Sequence, residues 1–451
     1  MKEFISIYGC LALAFVFGML IRPAVRDKWT PFMFAYMLWW YVAGNTFTVM
    51  MHLRLYQVLW LMQFVPMAFL LSGFRPWQWR NNGAITGFLV FFTWFFLTAF
   101  WGEGSLMEVL KVHFGILRMV VIGVAVGSWV LSKPDGLMRL LRAVSIAAFF
   151  AALLYVRYGS WSATALADVG GRMVVDTSEL VGDADQMAGV FNVNRFALLG
   201  TVILPFPFLF ILENWRIKKE MLLKCVAVVS ILVLTLVVVK TGSRNGGAGL
   251  LPLAWYLVFA KTSLKGPKKI AVMVVLTVVM IGLMFKVMQG SELRVFKFTE
   301  EKGTSIYEVG TGRGAIFVDW YKSMSDFQHA VGAGIPWGGL REDGTRRPAN
   351  GHSIYLNIFY QSGYVGLALL GLFGLYVAVC SFRRHDRFGH MAILLVTIWF
   401  LTGIGEAANI FPDNGYGKFC LGIAIALCSR RRFQANAFCG PAYYPANRYW
   451  A

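Results

Sequence analysis

The sequence predicts an all-α, polytopic membrane protein with about 12 to 13 transmembrane helices. Hydrophobic residues make up 58% of its 451 positions and charged residues only 14%, whereas soluble domains average about half apolar and a quarter charged. Apolar runs of about 20 residues, the length that crosses a bilayer as a helix, recur along the whole chain. The runs are continuous and do not alternate with polar residues, so β-barrel strands are not indicated. The composition excludes a soluble fold.

The apolar runs leave two long polar segments between them, 159–194 and 289–351. The second segment contains a predicted amphipathic helix, Gly314–Gln328, because its aromatic and aliphatic residues recur with a period of 3.6. About 13 runs qualify as spans by hydropathy: Phe4–Ile21, Thr30–Met50, Leu55–Leu71, Ala84–Trp101, His113–Leu131, Leu137–Tyr155, Phe196–Leu212, Met221–Val239, Gly247–Ala260, Ile270–Val287, Ser353–Val379, Met391–Ile410 and Tyr416–Cys428.

The net charge of +19 is concentrated in short loops between the spans. In a soluble protein such a charge would suggest nucleic-acid binding, but alternate basic loops of a membrane protein indicate the cytoplasmic side. The clusters all fall on one side of the predicted spans: Arg22, Arg26 and Lys28; Arg75 and Arg80; Lys133, Arg139 and Arg142; 215–219; 261–269; Arg383, Arg384 and Arg387; and 430–432. The carboxyl terminus is therefore predicted to be cytoplasmic, and no nucleic-acid partner is expected.

Spans and loops together give the predicted organisation. It comprises N-terminal transmembrane helices (1–157), a first external loop (158–195), central transmembrane helices (196–288), a large external loop with the amphipathic helix (289–352), C-terminal transmembrane helices (353–428) and a cytoplasmic tail (429–451).

Two arginines stand in glycine-rich breaks on the predicted external side. Arg244 lies in Lys240-Thr-Gly-Ser-Arg-Asn-Gly-Gly247 between two apolar spans, where free backbone N–H groups and a guanidinium could hold an anion. Arg313 directly precedes the amphipathic helix, whose N-terminus would also favour an anion. The alternatives are that Arg244 extends to a lipid headgroup and that Arg313 is a solvated loop residue.

Two further polar patches open spans. His352 ends the large loop in Ala349-Asn-Gly-His-Ser-Ile-Tyr355, and histidine is the commonest general base near neutral pH. Arg195 follows two asparagines at the start of another span and is a candidate third cationic contact. Each also has a simpler interpretation, as an ordinary residue of the membrane interface.

These residues carry a resemblance to the O-antigen ligase and O-antigen polymerase superfamily of bacterial membrane glycosyltransferases. The chain is similar to that family in the order and spacing of several short motifs over roughly residues 185–410. The motifs are Thr241-Gly-Ser-Arg-Asn-Gly246, Gly312-Arg313 followed by Asp326, Val331-Gly-Ala-Gly334, His352-Ser-Ile-Tyr-Leu356 and Gly363-Tyr-Val-Gly366.

The resemblance implies a glycosyltransferase-C-like fold in the bacterial inner membrane, with the large loop and the active site on the periplasmic side. It implies metal-independent, inverting transfer of a glycan from undecaprenyl diphosphate to an acceptor hydroxyl on a lipid, glycan or protein. His352 takes the place of the family's proposed base, and Arg244 and Arg313 take the places of its diphosphate-binding arginines. Arg195 and Tyr355 are predicted further substrate contacts. No cofactor is implied, and the six cysteines lack the spacing of a metal site.

Three activities share this donor chemistry and stay open at the level of sequence: ligation to a lipid core, polymerisation of repeat units, and transfer to a protein side chain. The alternative from another class is a polysaccharide transporter or flippase, which predicts ionisable residues near the middle of spans. Glu108, Lys111 and Glu406 are its candidates, and all three lie close to the predicted ends of spans.

Overall fold

The computed structural model describes residues 12–50, 65–74, 82–102, 106–158, 198, 200–215, 220–240, 244–261, 272, 275, 318, 320–334, 353–384, 386–403 and 415–428. Throughout these ranges the chain is predominantly helical, and no β-strand occurs in them. The all-α class predicted from the sequence is therefore confirmed for this part of the chain.

Eleven α-helices are delimited within the described ranges. They are α1 (Pro23–Met50), α2 (Gly83–Leu97), α3 (Leu106–Ser132), α4 (Gly136–Tyr158), α5 (Pro205–Asn214), α6 (Met221–Lys240), α7 (Arg244–Lys261), α8 (Asp326–Val331), α9 (Ile354–Phe382), α10 (Arg387–Gly403) and α11 (Gly415–Leu427). A 3₁₀ turn, Thr98–Trp101, follows α2, and short helical segments also cover 12–20 and 65–72.

Five stretches of the described chain are helices long and apolar enough to cross a membrane: Gly83–Trp101, His113–Ser132, Gly136–Leu153, Met221–Val238 and Ile354–Phe382. Shorter apolar helices cover Gly200–Asn214, Arg387–Gly403 and Gly417–Leu427. The membrane-protein class follows from these helices, whereas the total of 12 to 13 spans stays a prediction.

The closest helix pair in the bundle is α3 with α11. A Cβ atom built on Gly422 would lie 2.8 Å from the Cα of Gly123, and one built on Gly127 would lie 2.5 Å from the Cβ of Ala426. Small residues four positions apart on both helices let the two backbones approach, as is common between helices in membranes. Helix α4 packs against α1, α5 and α6 on the other side of the bundle, and α7 packs against α10.

Basic residues from distant parts of the sequence meet at one end of this bundle, here called the basic end. Arg142 pairs with Glu220 at 2.5 Å, and Lys133 pairs with Asp27. Arg387 donates to the Pro134 carbonyl oxygen at 2.9 Å, and Arg384 donates to the Leu427 carbonyl oxygen at 2.7 Å. These contacts place the named basic residues at one end of the bundle. Which side of a membrane this end faces stays a prediction.

A glycine interrupts one predicted helix, and a helix cap ends another early. The predicted span Ser353–Val379 corresponds to α9, but α9 is interrupted at Gly363, where φ is 63° and ψ is −165°. The predicted amphipathic helix Gly314–Gln328 does not continue past Ser323. Ser325 caps a new helix there, because its hydroxyl accepts from the Gln328 N–H while the Gln328 side chain accepts from the Ser325 N–H.

Helices α1 and α3 begin well before the predicted spans. Helix α1 begins at Pro23, so Arg26 and Lys28 belong to its first turns and not to a loop. Proline is well suited to the first turn because its missing N–H has no helical partner there. Helix α3 begins at Leu106, so Glu108 and Lys111 belong to that helix.

Candidate functional site

Only some of the predicted site residues lie within the described part of the chain. His352, Arg313 and Arg195 lie outside the described residues. Arg244 is the first residue of α7, with its side chain outside the described part. The prediction that Arg244 sits within a break between helices is therefore corrected: it opens a helix, where the first backbone N–H groups have no partner in the helix. Tyr355 is described in full.

Helix α7 begins at the end of the bundle opposite to the basic end. Helix α6 starts beside Glu220, which Arg142 holds at the basic end, and runs 20 residues to Lys240. At about 1.5 Å per residue this length is about 30 Å, the thickness of a bilayer's hydrocarbon core. Only 241–243 separate Lys240 from Arg244. Arg244 therefore lies at the far end, here called the site end.

The starts of α7 and α9 meet at the last residues of α10. The Thr201 hydroxyl donates to the Gly246 carbonyl oxygen at 3.1 Å, and a Cβ atom on Gly249 would lie 2.9 Å from the Thr402 Cγ2. The next residue, Gly403, accepts a hydrogen bond from the Ser353 hydroxyl at 3.4 Å. Ser353 is the N-cap of α9 and follows His352 in the sequence. Thr402 and Gly403 thus join the helix that begins with Arg244 to the helix that begins just after His352.

Tyr355 contacts the same part of α10. Its hydroxyl donates to the Phe400 carbonyl oxygen at 2.8 Å, and the two rings lie 6.4 Å apart. This bond uses the only hydroxyl hydrogen of Tyr355, so the side chain is held against α10 and keeps only acceptor capacity. Its predicted role as a substrate contact stays a prediction.

The break at Gly363 turns α9 into two helical halves that are not collinear. Tyr355 bonds to Phe400, and Gly374, 19 residues further on, packs against the ring of the same Phe400. In a straight helix these two positions would be about 28 Å apart. Only a sharp change of direction at Gly363 allows both Tyr355 and Gly374 to contact Phe400.

The break leaves backbone carbonyl groups without helical partners, and residues from two other segments satisfy them. The Ala333 N–H donates to the Tyr360 carbonyl oxygen at 2.7 Å, and the Gly334 N–H donates to that of Gln361 at 3.0 Å. The Trp94 indole N–H donates to the Ser362 carbonyl oxygen at 3.1 Å. Unpaired carbonyl groups in a membrane interior are costly. The motif Val331-Gly-Ala-Gly334 and the motif Gly363-Tyr-Val-Gly366 thus form one local structure.

Glycine is required at two positions of this structure. A Cβ atom on Gly363 would lie 2.6 Å from the Gly332 nitrogen, and one on Gly332, where φ is 93°, would lie 2.4 Å or less from atoms of the 361–362 peptide. Both residues adopt positive φ, which side chains disfavour. The close approach of the two backbones depends on both glycines.

An aromatic cluster holds the residues before α8 against the first half of α9. Trp320 is 2% exposed, and its ring centroid lies 4.5 Å from that of Tyr360. His329 stacks on Tyr321 at 4.2 Å, and its Nε2 lies 2.8 Å from the Tyr321 carbonyl oxygen. The sequence predicts an apolar face that includes Trp320, Tyr321 and Met324. Trp320 and Met324 are buried as predicted, whereas Tyr321 is 40% exposed.

Sequence reasoning missed two buried polar residues. Both side-chain atoms of the Gln361 amide are buried without a hydrogen-bond partner. Lys418 is 2% exposed, and its side chain helps line a small cavity with Phe91, Phe95 and Trp399. A lysine within the apolar run Tyr416–Cys428 was the available signal for the second residue.

Fold and site define the protein as an all-α membrane protein in which two helix starts, marked in the sequence by Arg244 and His352, meet at one end of the bundle. Comparison with protein-family models and with curated proteins found no match.

Proposed function

We propose that the protein is a glycosyltransferase of the O-antigen ligase type, acting in the bacterial inner membrane. In this proposal it transfers a glycan from undecaprenyl diphosphate to an acceptor hydroxyl at the periplasmic face. The observation that carries the proposal is the meeting of the starts of α7 and α9 at Thr402 and Gly403. It supports one shared location for Arg244 and His352, which the chemistry requires.

The roles follow from the charges that develop in the reaction. The acceptor oxygen attacks the anomeric carbon as the bond from that carbon to the diphosphate oxygen breaks, with inversion at the carbon. The acceptor proton passes to a neutral His352 imidazole, and the bond electrons pass to the diphosphate. Guanidinium groups stabilise the diphosphate more strongly as its charge grows, which lowers the barrier and not merely the binding energy. Arg244 and Arg313 supply this charge in the proposal.

The short distance in sequence between Arg313 and Trp320 supports the same end for Arg313. The two residues are seven positions apart, and Trp320 packs on Tyr360 of α9. A fully extended segment of seven residues spans about 25 Å at most. This limit supports a position for Arg313 near the site end. Arg195 and Tyr355 are proposed as further contacts to the substrate.

The direct test is transfer activity in membranes with a glycan carried on undecaprenyl diphosphate. Wild-type protein is compared with His352→Gln, Arg244→Ala and Arg313→Ala at matched protein levels. Exposed Arg383 at the basic end provides the matched control, Arg383→Ala. We expect each site variant to lose transfer by at least about a hundredfold and the control to keep it. Full activity in all three site variants would refute the proposal.

The products of the same assay separate the three transfer activities. A ligase adds one preformed glycan to a lipid core, whereas a polymerase lengthens a chain by successive repeat units. A protein glycosyltransferase labels a polypeptide. The proposal is ligation, so a single product of fixed added mass on a lipid acceptor is expected. A ladder of products would select polymerisation instead, and labelled polypeptide would select protein glycosylation.

Transport of a polysaccharide is the second candidate, and Lys418 is the observation that favours it. Leu427 lies at the basic end through its bond to Arg384. Lys418 precedes Leu427 by nine residues and therefore lies about 14 Å from that end along α11, near the middle of a bilayer. Ionisable residues at that depth often line transport pathways. The test measures movement of a lipid-linked glycan across the membrane of vesicles. Loss of this movement in Lys418→Met, together with normal movement in His352→Gln, would favour transport over transfer.

A further inference from the structure

A cavity of about 280 Å³ opens at the basic end, between α1, the segment 65–74 and α3. It lies at the end of the bundle opposite to the starts of α7 and α9, so it is separate from the proposed transfer site. Its polar lining comes from Arg26, Asp27 and Thr30 of α1 and, at the other wall, from Ser128, Trp129, Ser132 and Lys133 in and directly after the last turn of α3. The volume exceeds that of a single water several times.

Arg26 is fixed at the wall of this cavity. One of its terminal nitrogens donates to the Gly18 carbonyl oxygen at 3.3 Å. Its Nε would lie 3.2 Å from a Cβ atom on Gly73, so the guanidinium packs against the Gly73 backbone. A guanidinium has five N–H donors, and the bond to Gly18 uses one of them. The remaining N–H groups can donate to a ligand while the guanidinium keeps its position.

The charged groups of the lining leave one net positive charge, because Arg26 and Lys133 are cationic and Asp27 is anionic. Lys133 pairs with Asp27 and keeps two of its three ammonium donors beyond that pair. Two of the nearby hydroxyls already donate inside the protein, Thr30 to the Arg26 carbonyl oxygen and Ser132 to the Trp129 carbonyl oxygen.

The cavity thus combines two cations with one anion, and the remaining positive charge matches an oxyanion. The planar guanidinium of Arg26 suits a phosphate in particular.

The surroundings of the cavity are apolar and exposed. Val25, Trp29 and Phe32 on α1 are 44%, 53% and 57% exposed, and Leu20 in the segment 12–20 is 79% exposed. In a membrane such side chains contact acyl chains. A ligand with an anionic head and apolar tails therefore satisfies both the cavity and its flanks, as in basic sites between membrane helices that hold lipid headgroups.

We propose that this cavity binds the phosphate of an anionic membrane phospholipid, with the acyl chains along the exposed apolar face of α1. The cavity recognises a phosphate group, and a free phosphate ion offers the same group as a lipid. The apolar flanks select the lipid, since inorganic phosphate gains nothing from Val25, Trp29 or Phe32.

The test measures lipid binding to the purified full-length protein after delipidation in detergent. Native mass spectrometry counts the bound molecules of phosphatidylglycerol or phosphatidylcholine, and thermal unfolding reports the stabilisation by each lipid and by inorganic phosphate. Phosphatidylcholine carries the same phosphate but adds a choline cation, which the net positive charge of the lining opposes. We therefore expect a preference of at least about tenfold for phosphatidylglycerol and a stabilisation that inorganic phosphate does not reproduce. Equal binding of both lipids would overturn the proposal, and full stabilisation by inorganic phosphate alone would overturn the assignment to a lipid.

Variants locate the binding. Arg26→Gln and Lys133→Gln are each expected to reduce phosphatidylglycerol binding by about tenfold. The matched control is Lys28→Gln, because Lys28 lies on the same helix, is exposed and does not line the cavity. An equal loss in Lys28→Gln would show a general surface-charge effect and overturn the site. Lys133→Gln serves as the test if the Arg26 variant does not fold.

Discussion

The indole N–H of Trp94 donates to the carbonyl oxygen of Ser362 at 3.1 Å, joining two residues that are 268 positions apart in the sequence. Trp94 belongs to α2 and Ser362 ends the first half of α9, so this bond ties the N-terminal helices to the C-terminal ones. The carbonyl group is available because α9 breaks at the next residue. This bond therefore depends on the break.

Trp94→Phe should destabilise the protein by about 1 kcal/mol, because it leaves the Ser362 carbonyl without its donor while keeping an aromatic ring. Thermal unfolding in detergent measures the change. Trp29→Phe is the control, since Trp29 is 53% exposed. Equal unfolding temperatures for the two variants would show that the bond contributes nothing.

Gly363→Ala should destabilise the protein by about 2 to 4 kcal/mol. Alanine disfavours the positive φ of this position, and its Cβ would lie 2.6 Å from the Gly332 nitrogen. That nitrogen is a backbone atom, so moving it is costly. The matched control is Gly371→Ala in the same helix, where a Cβ meets nothing within 4 Å. That control should be neutral or slightly stabilising, because alanine favours a helix over glycine by about 0.5 to 1 kcal/mol. A native unfolding temperature for Gly363→Ala would contradict the observed break.

Gly422→Val should separate α3 from α11. A Cβ atom there would overlap the Val120 carbonyl oxygen and would lie 2.8 Å from the Gly123 Cα. Both atoms belong to the backbone of α3. Overpacking of this kind costs about 1 to 3 kcal/mol or more, visible as a lower unfolding temperature or lower yield of folded protein. Gly115→Ala on α3 is the control, as a Cβ there meets nothing within 4 Å. A stable Gly422→Val would mean that the two helices do not approach so closely.

Gly249→Ala tests the junction at the site end through activity. The new methyl would overlap the Thr201 Cγ2 and would lie 2.9 Å from the Thr402 Cγ2, so it should displace the start of α7 from α10. Displacements of about 1 Å at a site can reduce rates by about a hundredfold. Thr201→Ser in the same chain removes one obstructing methyl but keeps the hydroxyl that binds the Gly246 carbonyl oxygen, and it should restore part of the transfer. Undiminished transfer in Gly249→Ala alone would count against the junction.

Local patterns in the sequence were sufficient for much of the fold. Hydropathy predicted helices where α2, α3, α4, α6, α10 and α11 lie, although their ends shift by a few residues. Within the described residues, four of the basic residues assigned to one side do meet at one end, namely Lys133, Arg142, Arg384 and Arg387. Charged groups avoid the apolar interior of a membrane. The capping box formed by Ser325 and Gln328 also has a recognisable local pattern, and a closer application of that rule would have ended the preceding helix there.

The remaining features depend on contacts between distant residues, which a single sequence does not reveal. The break at Gly363 is one such feature, since hydropathy is continuous across it and many glycines in the chain are helical. The need for glycine at positions 332 and 334 is evident only from the packing of the 332–334 segment against 360–362. Burial of Lys418 likewise depends on the aromatic residues of α2 and α10 around it. The predictions for His352, Arg313 and Arg195 lie on residues outside the described chain and stay predictions.

The central claim is that Arg244 and His352 act in one site, and a double-mutant cycle on glycan transfer tests it most directly. The measurement compares transfer rates from a glycan on undecaprenyl diphosphate for wild type, Arg244→Ala, His352→Gln and the double variant at matched protein levels. Residues that act on one transition state are strongly non-additive, so the double variant should be about as slow as the slower single variant. If the two losses simply multiply, or if neither single variant loses activity, Arg244 and His352 do not share a catalytic site.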